Sequence, residues 1–236
     1  MHDRSWVWRW ARGYTKRANS INALDPNDDA DIDKRLDRLT ALSTRHGIAP
    51  VFRVTPLASP AVSAVLDARG WVRIETSHVL AMNLVNPEMT GATGAVSEKV
   101  TLHPPADPAW LEAQAALAGY DNQTRDSLGA VLTQIPCAAS GLLVWRDGAP
   151  VAAALATVSG GIAIFVNVVV AGPLRGQGLG RQVMVAALDW AKEQGADHAA
   201  IQVVAGNEPA IGLYTALGFE PRYDYHYRLP GEGVSA

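Results

Sequence analysis

A glycine-rich segment between a strand-like stretch and a helix-like stretch constrains this chain more than any other feature. Residues 172–182 have the sequence GPLRGQGLGRQ. Three glycines alternate there with other residues, at positions Gly176, Gly178 and Gly180. Missing side chains let backbone N–H groups approach a phosphate closely, and the N-terminus of the following helix adds partial positive charge. The segment therefore predicts a phosphate-binding turn at the start of a helix, with Arg175 and Arg181 as nearby cations.

The amino-acid sequence of this turn excludes two common nucleotide-binding loops. A dinucleotide-binding fold needs G-x-G-x-x-G, and Arg181 stands where the third glycine would be required. A Walker loop ends in G-K-[ST], but residues 172–182 contain no lysine. A tight turn without a ligand remains the alternative interpretation.

The residues around the turn predict a mixed α/β domain. Met184, Ala187, Leu188 and Ala191 have the spacing of a helix that packs on a sheet. Asn207 can cap a further helix, which carries Tyr214 and ends before Gly218. Apolar patterns predict a helix over 107–119 and strands over 141–145, 151–158, 162–170, 198–204 and 222–229. The expected fold class is α/β (α+β), a mixed central sheet with an antiparallel start and flanking helices.

The N-terminal part has a related order of elements. Trp6, Trp8 and Trp10 are predicted on one face of a strand. Patterns further along predict helices from Ile32 to Leu42 and over 61–69, and strands over 51–55 and 71–84. An offset of 148 residues places Gly70-Trp71 on Gly218-Phe219 and aligns several of these elements. This agreement suggests duplication of a half-domain.

The same alignment indicates which copy is functional. The three loop glycines fall on Asp28, Ala30 and Ile32, and Tyr214 falls on Leu66. The first copy has no glycines there, and its aspartates would repel a phosphate. We therefore expect only the second copy to bind one.

Three sequence motifs together resemble the GNAT superfamily of N-acetyltransferases. The R-x-x-G-x-G spelling of residues 175–180 is similar to the pyrophosphate-binding motif of that superfamily. The preceding NVVVAGPLR is similar to its strand leading into the loop, and NEPAIGLYTALGF (207–219) to its later motif. The resemblance covers about residues 98 to 230. It implies a degenerate GNAT-like domain over 1–86, a linker over 87–97 and a catalytic GNAT domain over 98–236.

The resemblance also implies a mechanism and a set of site residues. Acetyl-CoA would be the co-substrate, a neutral primary amine would attack it directly, and Tyr214 would donate a proton to the leaving thiolate. The implied cofactor-binding residues are Val168, Val169, Val170, Arg175, Gly176, Gln177, Gly178, Leu179, Gly180, Arg181 and Asn207. The candidate substrate-binding residues are Asn167, Tyr120, Asp121 and Tyr225. No metal ion is expected.

The general base is not assigned by the sequence. Many members of the superfamily have a glutamate on the strand before the loop, whereas residues 162–170 carry no carboxylate. Asp121, Glu112 and Glu208 remain alternatives. The acceptor amine is also not identified by the sequence. The residues expected to line its site, around Tyr120 and Tyr225, can equally be interpreted as ordinary solvated surface.

Composition limits the partners and the compartment. The net charge is −3 and the pI about 6.1, which disfavours a dedicated nucleic-acid binder, although the basic residues 9–17 could bind RNA or an anionic substrate. The only cysteine, Cys137, cannot form an internal disulfide. The N-terminus has no apolar secretory run, and the uncharged residues 149–174 are interrupted by Gly160-Gly161, as in two strands rather than a membrane helix. We expect a cytoplasmic protein, monomer or homodimer, without a membrane partner.

Three functional hypotheses follow from these observations. The first is an acetyl-CoA-dependent N-acetyltransferase acting on a small-molecule or peptide amine. The second is a non-catalytic acyl-CoA sensor or interaction module, favoured by the missing carboxylate and disfavoured by the intact Tyr214. The third is a transferase that uses another acyl-CoA or an RNA-linked acceptor.

Overall fold

The computed structural model describes residues 1–85 and 98–231, so the predicted linker over 87–97 lies outside the described residues. The chain forms two compact units. Unit 1 comprises Met1–His78 and Tyr223–Ala236, and unit 2 comprises Val79–Arg222. No helix in the described ranges is long and apolar enough to cross a membrane.

Unit 2 contains most of the elements predicted around the glycine turn. Its strands and helices are β6 (Lys99–His103), α3 (Pro108–Ala118), α4 (Asn122–Leu132), β7 (Ala138–Arg146), β8 (Ala149–Ser159), β9 (Ile162–Val170), α5 (Leu179–Glu193), β10 (His198–Val204) and α6 (Glu208–Ala216). Strand β6 and helix α4 were not predicted from the sequence. Helix α4 gives a weak pattern because Leu128 and Leu132 are its only buried residues.

The core of unit 2 explains the uncharged stretch over 149–174. Strands β7, β8 and β9 pair antiparallel, and the β7–β8 turn is formed by Asp147 and Gly148 with φ values of 51° and 78°. Helix α5 packs on this sheet through the predicted apolar stripe, all four residues of which are fully buried. Strands that are buried on both faces are built mostly from apolar residues. This burial explains why the stretch carries no charge although it is not a membrane helix.

Unit 1 contains the two helices and the strands that were predicted for the N-terminal part of the sequence. Its elements are β1 (His2–Asp3), β2 (Trp6–Trp8), β3 (Ile21–Ala23), α1 (Ile32–Arg45), β4 (Phe52–Val54), α2 (Pro60–Ala68) and β5 (Trp71–Asn83). Trp6 and Trp8 are buried against α1, as predicted. The prediction for Trp10 was wrong: β2 ends at Trp8, and Trp10 is 45% exposed and contacts the ring of His46.

The two units share the order of elements that the 148-residue offset predicted. The offset carries the bounds of α2 (60–68) onto 208–216, which are the bounds of α6. It also carries β4 (52–54) into β10. In unit 1, β3 and β4 pair parallel, and in unit 2, β9 and β10 pair parallel.

The compact units do not follow the division into 1–86 and 98–236. The last strand of the chain, β11 (Glu220–Pro230), pairs antiparallel with β4 in unit 1 through His226, Tyr227 and Arg228. The end of β5 belongs to unit 2, where the backbone N–H of Leu84 donates to the Asp197 carbonyl at 2.8 Å. Each unit is therefore completed by a strand that lies in the other half of the sequence.

Candidate functional site

The glycine turn presents backbone donors at the start of α5. Gly176 and Gly178 have φ values of 76° and 80°, which strain any residue with a Cβ atom, and a Cβ at either position would meet open space. Gly178 is the N-cap of α5 and supplies no side-chain cap. The first N–H groups of a helix have no intrahelical partner. The turn is therefore open on the side where an anion would approach these donors.

Gly180 has a different role from the other two glycines. A Cβ atom at this position would lie 3.1 Å from Leu213 Cδ2 and 3.7 Å from Val170 Cγ2. Arg181 Nη1 also donates to the Ala216 carbonyl at 3.4 Å. Gly180 thus lets the N-terminus of α5 approach both α6 and the end of β9, and Arg181 fastens α5 to the last turn of α6.

Strand β9 departs from regular pairing where the site is predicted. Leu155 pairs with Val166 and Ala153 with Val169, so two residues of β9, at positions 167 and 168, face one residue of β8. Asn167 has a φ of 55°, a left-handed conformation that asparagine tolerates. This is a β-bulge, which bends the strand and disrupts its ladder.

The bulge coincides with the end of pairing between β9 and β10. Their parallel register runs from Ile162–His198 to Phe165–Ile201. Within the described part of the chain, this register includes none of Val168, Val169 and Val170 of β9. Beyond Phe165 the ladder between β9 and β10 is therefore not continued at Val168–Val170, where an extended ligand could add to the edge of β9.

Tyr214 lies on α6 in a mostly apolar environment. Its side chain is 5% exposed, and its ring contacts Phe219 edge-on, with centroids 6.1 Å apart. Burial raises the pKa of Tyr214 to about 12. The phenol is consequently protonated at neutral pH and able to donate. Asn207 caps the same helix, because its Oδ1 accepts from the backbone N–H of Ala210 at 3.3 Å.

A side-chain network that the sequence analysis missed supports the loop. Arg146 Nη1 donates to Gln177 Oε1 at 2.8 Å, and Arg146 Nε donates to Glu98 Oε1 at 2.8 Å. The backbone N–H of Glu98 donates to Gln182 Oε1 at 3.1 Å. These residues are distant in sequence, so only the folded chain brings them together. The network fixes the loop and the first turn of α5 to the end of β7.

A buried polar group on α3 was also missed. The side chain of Gln114 is 1% exposed, and its Oε1 has no hydrogen-bond partner among the described residues. Glutamine on a helix face that otherwise packs apolar residues gives no sequence signal by itself. A buried acceptor of this kind is suited to a water molecule or a ligand donor.

The candidate acceptor residues are distributed over both units. Asp121 is exposed and caps α4, and the hydrogen bond from Thr124 lowers the pKa of its carboxyl group. Glu112 pairs with Arg125 at 2.7 Å, and Glu208 is the exposed first residue of α6. Tyr120 follows α3 in unit 2 and is half-buried, whereas Tyr225 belongs to unit 1 and lies under the guanidinium of Arg53.

Comparisons with known proteins found a matching family model and a related protein. A family model described as "Probable histone acetyltransferase Rv0428c C-terminal" matches residues 2–228. An uncharacterized N-acetyltransferase, YobR, of Bacillus subtilis (strain 168) is 25% identical over 227 residues, which cover 95% of this chain and 89% of the relative.

Two solved structures show the same fold. A GCN5-related N-acetyltransferase from Kribbella flavida has a TM-score of 0.70 at 24% identity, covering 99% of this chain and 86% of that one. A tandem GNAT protein from the clavulanic acid biosynthesis pathway has a TM-score of 0.70 at 16% identity, covering 92% and 76%. The fold thus agrees with the prediction, and the family model spans nearly the whole sequence. The chain therefore belongs to the Rv0428c C-terminal acetyltransferase family and is an acyltransferase enzyme of the GNAT fold.

Proposed function

We propose that this enzyme transfers the acetyl group of acetyl-CoA to a primary amine by direct attack, with Tyr214 as the general acid. The observation that carries the proposal is the combination of an open glycine turn, a strand edge released by a bulge and a buried, protonated tyrosine within unit 2. The family model and the GNAT neighbours support acetyl-CoA as the donor.

The residues of the turn fit a pyrophosphate group. Backbone N–H groups from Gly176 to Arg181 would donate to its oxygens, and the N-terminus of α5 adds positive potential. Arg175 is exposed next to them. Its Nε donates to the Val170 carbonyl at 3.4 Å, a weak hydrogen bond that leaves the other N–H donors of the guanidinium group available to the pyrophosphate. Bound pantetheine would extend along Val168 to Val170 beyond the bulge, with Asn207 near its path.

Tyr214 would act on the leaving group. Attack by a neutral amine on the thioester carbonyl breaks the C–S bond, and the sulfur leaves as a thiolate that needs a proton. A phenol with a raised pKa keeps its proton at working pH, and burial keeps water away from it. General-acid catalysis of this kind contributes about 10²- to 10⁴-fold.

The acceptor is proposed as a small-molecule, peptide or protein amine. The description of the matched family favours a protein amine. Tyr120, Asp121 and Asn167 of unit 2 remain the candidates for contacting it, and the role of Tyr225, which lies in unit 1, stays a prediction from the sequence. The amine must lose a proton before attack. Because β9 has no carboxylate, we propose that this proton leaves through water rather than directly to a side chain.

The deciding experiment measures thiol release from acetyl-CoA with a panel of amines, aminoglycosides, polyamines and lysine-containing peptides. Wild type and Tyr214→Phe are compared, and the thiol of Cys137 is subtracted as background. We expect one amine class to be acetylated and Tyr214→Phe to lose at least about 100-fold in kcat with unchanged affinity for acetyl-CoA. Tyr14→Phe, which removes a phenol hydroxyl in unit 1, is the matched control and should retain activity.

The outcomes separate the enzyme from an acyl-CoA sensor. Equal kcat values for wild type and Tyr214→Phe would remove Tyr214 from the chemistry. Tight binding of acetyl-CoA without turnover on any amine would favour the sensor. Preference for a longer acyl chain would keep the transfer reaction and change only the donor.

A further inference from the structure

Polar side chains form a line across the sheet of unit 1. Asn22 on β3 and Arg53 on β4 are paired in register, and Arg53 is paired with Tyr227 on β11. Their side chains are 2%, 7% and 4% exposed. The residues that alternate with them, Ile21 and Phe52, belong to the hydrophobic core with α1. Because neighbouring residues of a strand face opposite sides, the polar line lies on the face turned away from α1.

Three arginines surround two tyrosines on this face. The guanidinium of Arg53 lies 3.8 Å from the ring centroid of Tyr225. Arg17 Nη2 donates to the Tyr225 hydroxyl at 3.4 Å. Arg9 follows Trp8 at the end of β2 beside β3, where its backbone N–H donates to the Ser20 carbonyl at 3.0 Å. Partial burial and then the positive charge of Arg53 lower the pKa of Arg9. The cluster of Arg9, Arg17 and Arg53 with the two tyrosines thus concentrates positive charge within unit 1.

No carboxylate balances the two accessible members of this cluster in the ranges that the structure describes. Neither Arg9 nor Arg17 has an ion pair within 4.0 Å there, and Arg17 Nε is buried without a hydrogen-bond partner. The charged groups that act on Tyr225 are Arg17 and Arg53, both cationic.

Another arginine of unit 1 is buried and has carboxylate partners, which makes it a useful comparison. Arg35 is 2% exposed, and its guanidinium lies 3.0 Å from Asp28 and 3.7 Å from Asp3. Taking a cation out of water without a partner is costly, so buried charges are normally paired. Unit 1 satisfies this requirement for Arg35 from its own sequence. The half-buried Arg17 has no such carboxylate among the described residues, although its Nε atom is buried.

We propose that this cluster is a binding site for an oxyanion group, a phosphate or a carboxylate, of a small molecule. Arg9 is exposed and Arg17 half-buried, so the anion would enter from their side and approach Arg53. Guanidinium groups bind such anions through paired N–H donors, and tyrosine hydroxyls can add further donors. The site does not depend on the proposed acetyl transfer and lies outside the glycine turn.

The test is a titration of the full chain with inorganic phosphate, and separately with succinate, followed by NMR of the arginine Nε–H groups. The double variant Arg9→Gln/Arg17→Gln leaves the buried Arg53 in place, and a thermal unfolding scan checks that the fold of unit 1 is retained. Arg45→Gln removes the same type of charge from α1, on the other face of the sheet, and is the matched control. We expect the double variant to weaken binding at least about tenfold and the control to change it less than about twofold.

A stability measurement distinguishes a binding site from a structural cluster. Removing unmatched positive charge should raise the unfolding temperature of the ligand-free double variant, whereas a structural role for the arginines predicts a decrease. Absence of saturable binding by wild type, equal weakening in Arg45→Gln, or binding of polyribonucleotide but neither small anion would overturn the proposal.

Steady-state kinetics then identify the molecule that carries the anion. If the anion belongs to the acceptor amine, the double variant raises the acceptor KM and leaves kcat and the affinity for acetyl-CoA unchanged. If it belongs to a separate ligand, phosphate affinity falls while the acceptor KM stays constant. Either result supports the site.

Discussion

Replacement of Gly178 by glutamate tests the assignment of the glycine turn most directly. A side chain fits sterically, since a Cβ at position 178 meets no atom within 4 Å. The φ of 80° costs a residue with a side chain about 1–2 kcal/mol, which should lower stability without unfolding a domain of this size. In the absence of ligand, a carboxylate at a helix N-terminus is itself favourable and offsets part of this cost.

The charge has a much larger effect on binding than on folding. If the pyrophosphate occupies the turn, the new carboxylate lies about 4 Å from a phosphate oxygen. Two like charges at that distance repel by about 4 kcal/mol near a protein surface. This corresponds to about a 1000-fold loss of affinity for coenzyme A. Gly178→Gln has the same size and the same backbone strain without the charge, and should lose far less.

Isothermal titration calorimetry of coenzyme A against wild type, Gly178→Glu and Gly178→Gln measures this difference. Salt should narrow the gap between the two variants, because the Debye length falls to about 3 Å at 1 M. Similar dissociation constants for the glutamate and glutamine variants would show that the pyrophosphate does not bind at this turn. A thermal unfolding scan of each variant checks that the fold is intact.

Two further predictions concern the stability of each unit. Gly141→Ala places a methyl group 2.5 Å from the indole of the fully buried Trp110, so urea unfolding should show a loss of about 3 kcal/mol; a change below about 0.5 kcal/mol would contradict this packing. His226 has its pKa lowered from 6.5 to about 4, first by burial and then by two neighbouring arginines. The unfolded state therefore binds a proton that the folded state does not, and stability should fall between pH 6.5 and 4. Solvent screening keeps this loss to about 1–2 kcal/mol, and His226→Gln should flatten the slope of unfolding free energy against pH.

Local sequence patterns were sufficient to predict the helices that follow the glycine turn. The stripe from Met184 to Ala191 predicts α5 because its period of 3.6 residues survives any tertiary arrangement. Asn207 and Gly218 mark the ends of α6 through local backbone preferences, and both are confirmed. Trp10 shows the limit of such patterns, because alternation alone does not determine where a strand ends.

The division into compact units depended on long-range pairing. The turn-rich residues 87–97 suggested a simple boundary, but β5 and β11 each contribute to both units. Strand exchange has no local signal, because an exchanged strand has the same alternation as one paired within its own segment. The similar order of elements at the 148-residue offset was visible in the sequence, whereas the partner of each last strand was not.

The sequence by itself determined the local features on which the proposed chemistry of the turn rests. Glycines at 176, 178 and 180, a following helix and a tyrosine on the next helix are local features, and their backbone and protonation requirements do not depend on distant residues. Tertiary structure alone decided what surrounds them. It brought Arg146 to the loop, placed a bulge at Asn167 just beyond the last registered pair of β9 and β10, and brought Arg17 and Arg53 to Tyr225. Clusters of charged side chains and breaks in strand pairing arise where distant segments of the chain pair with each other. Local sequence preferences carry no information about that pairing.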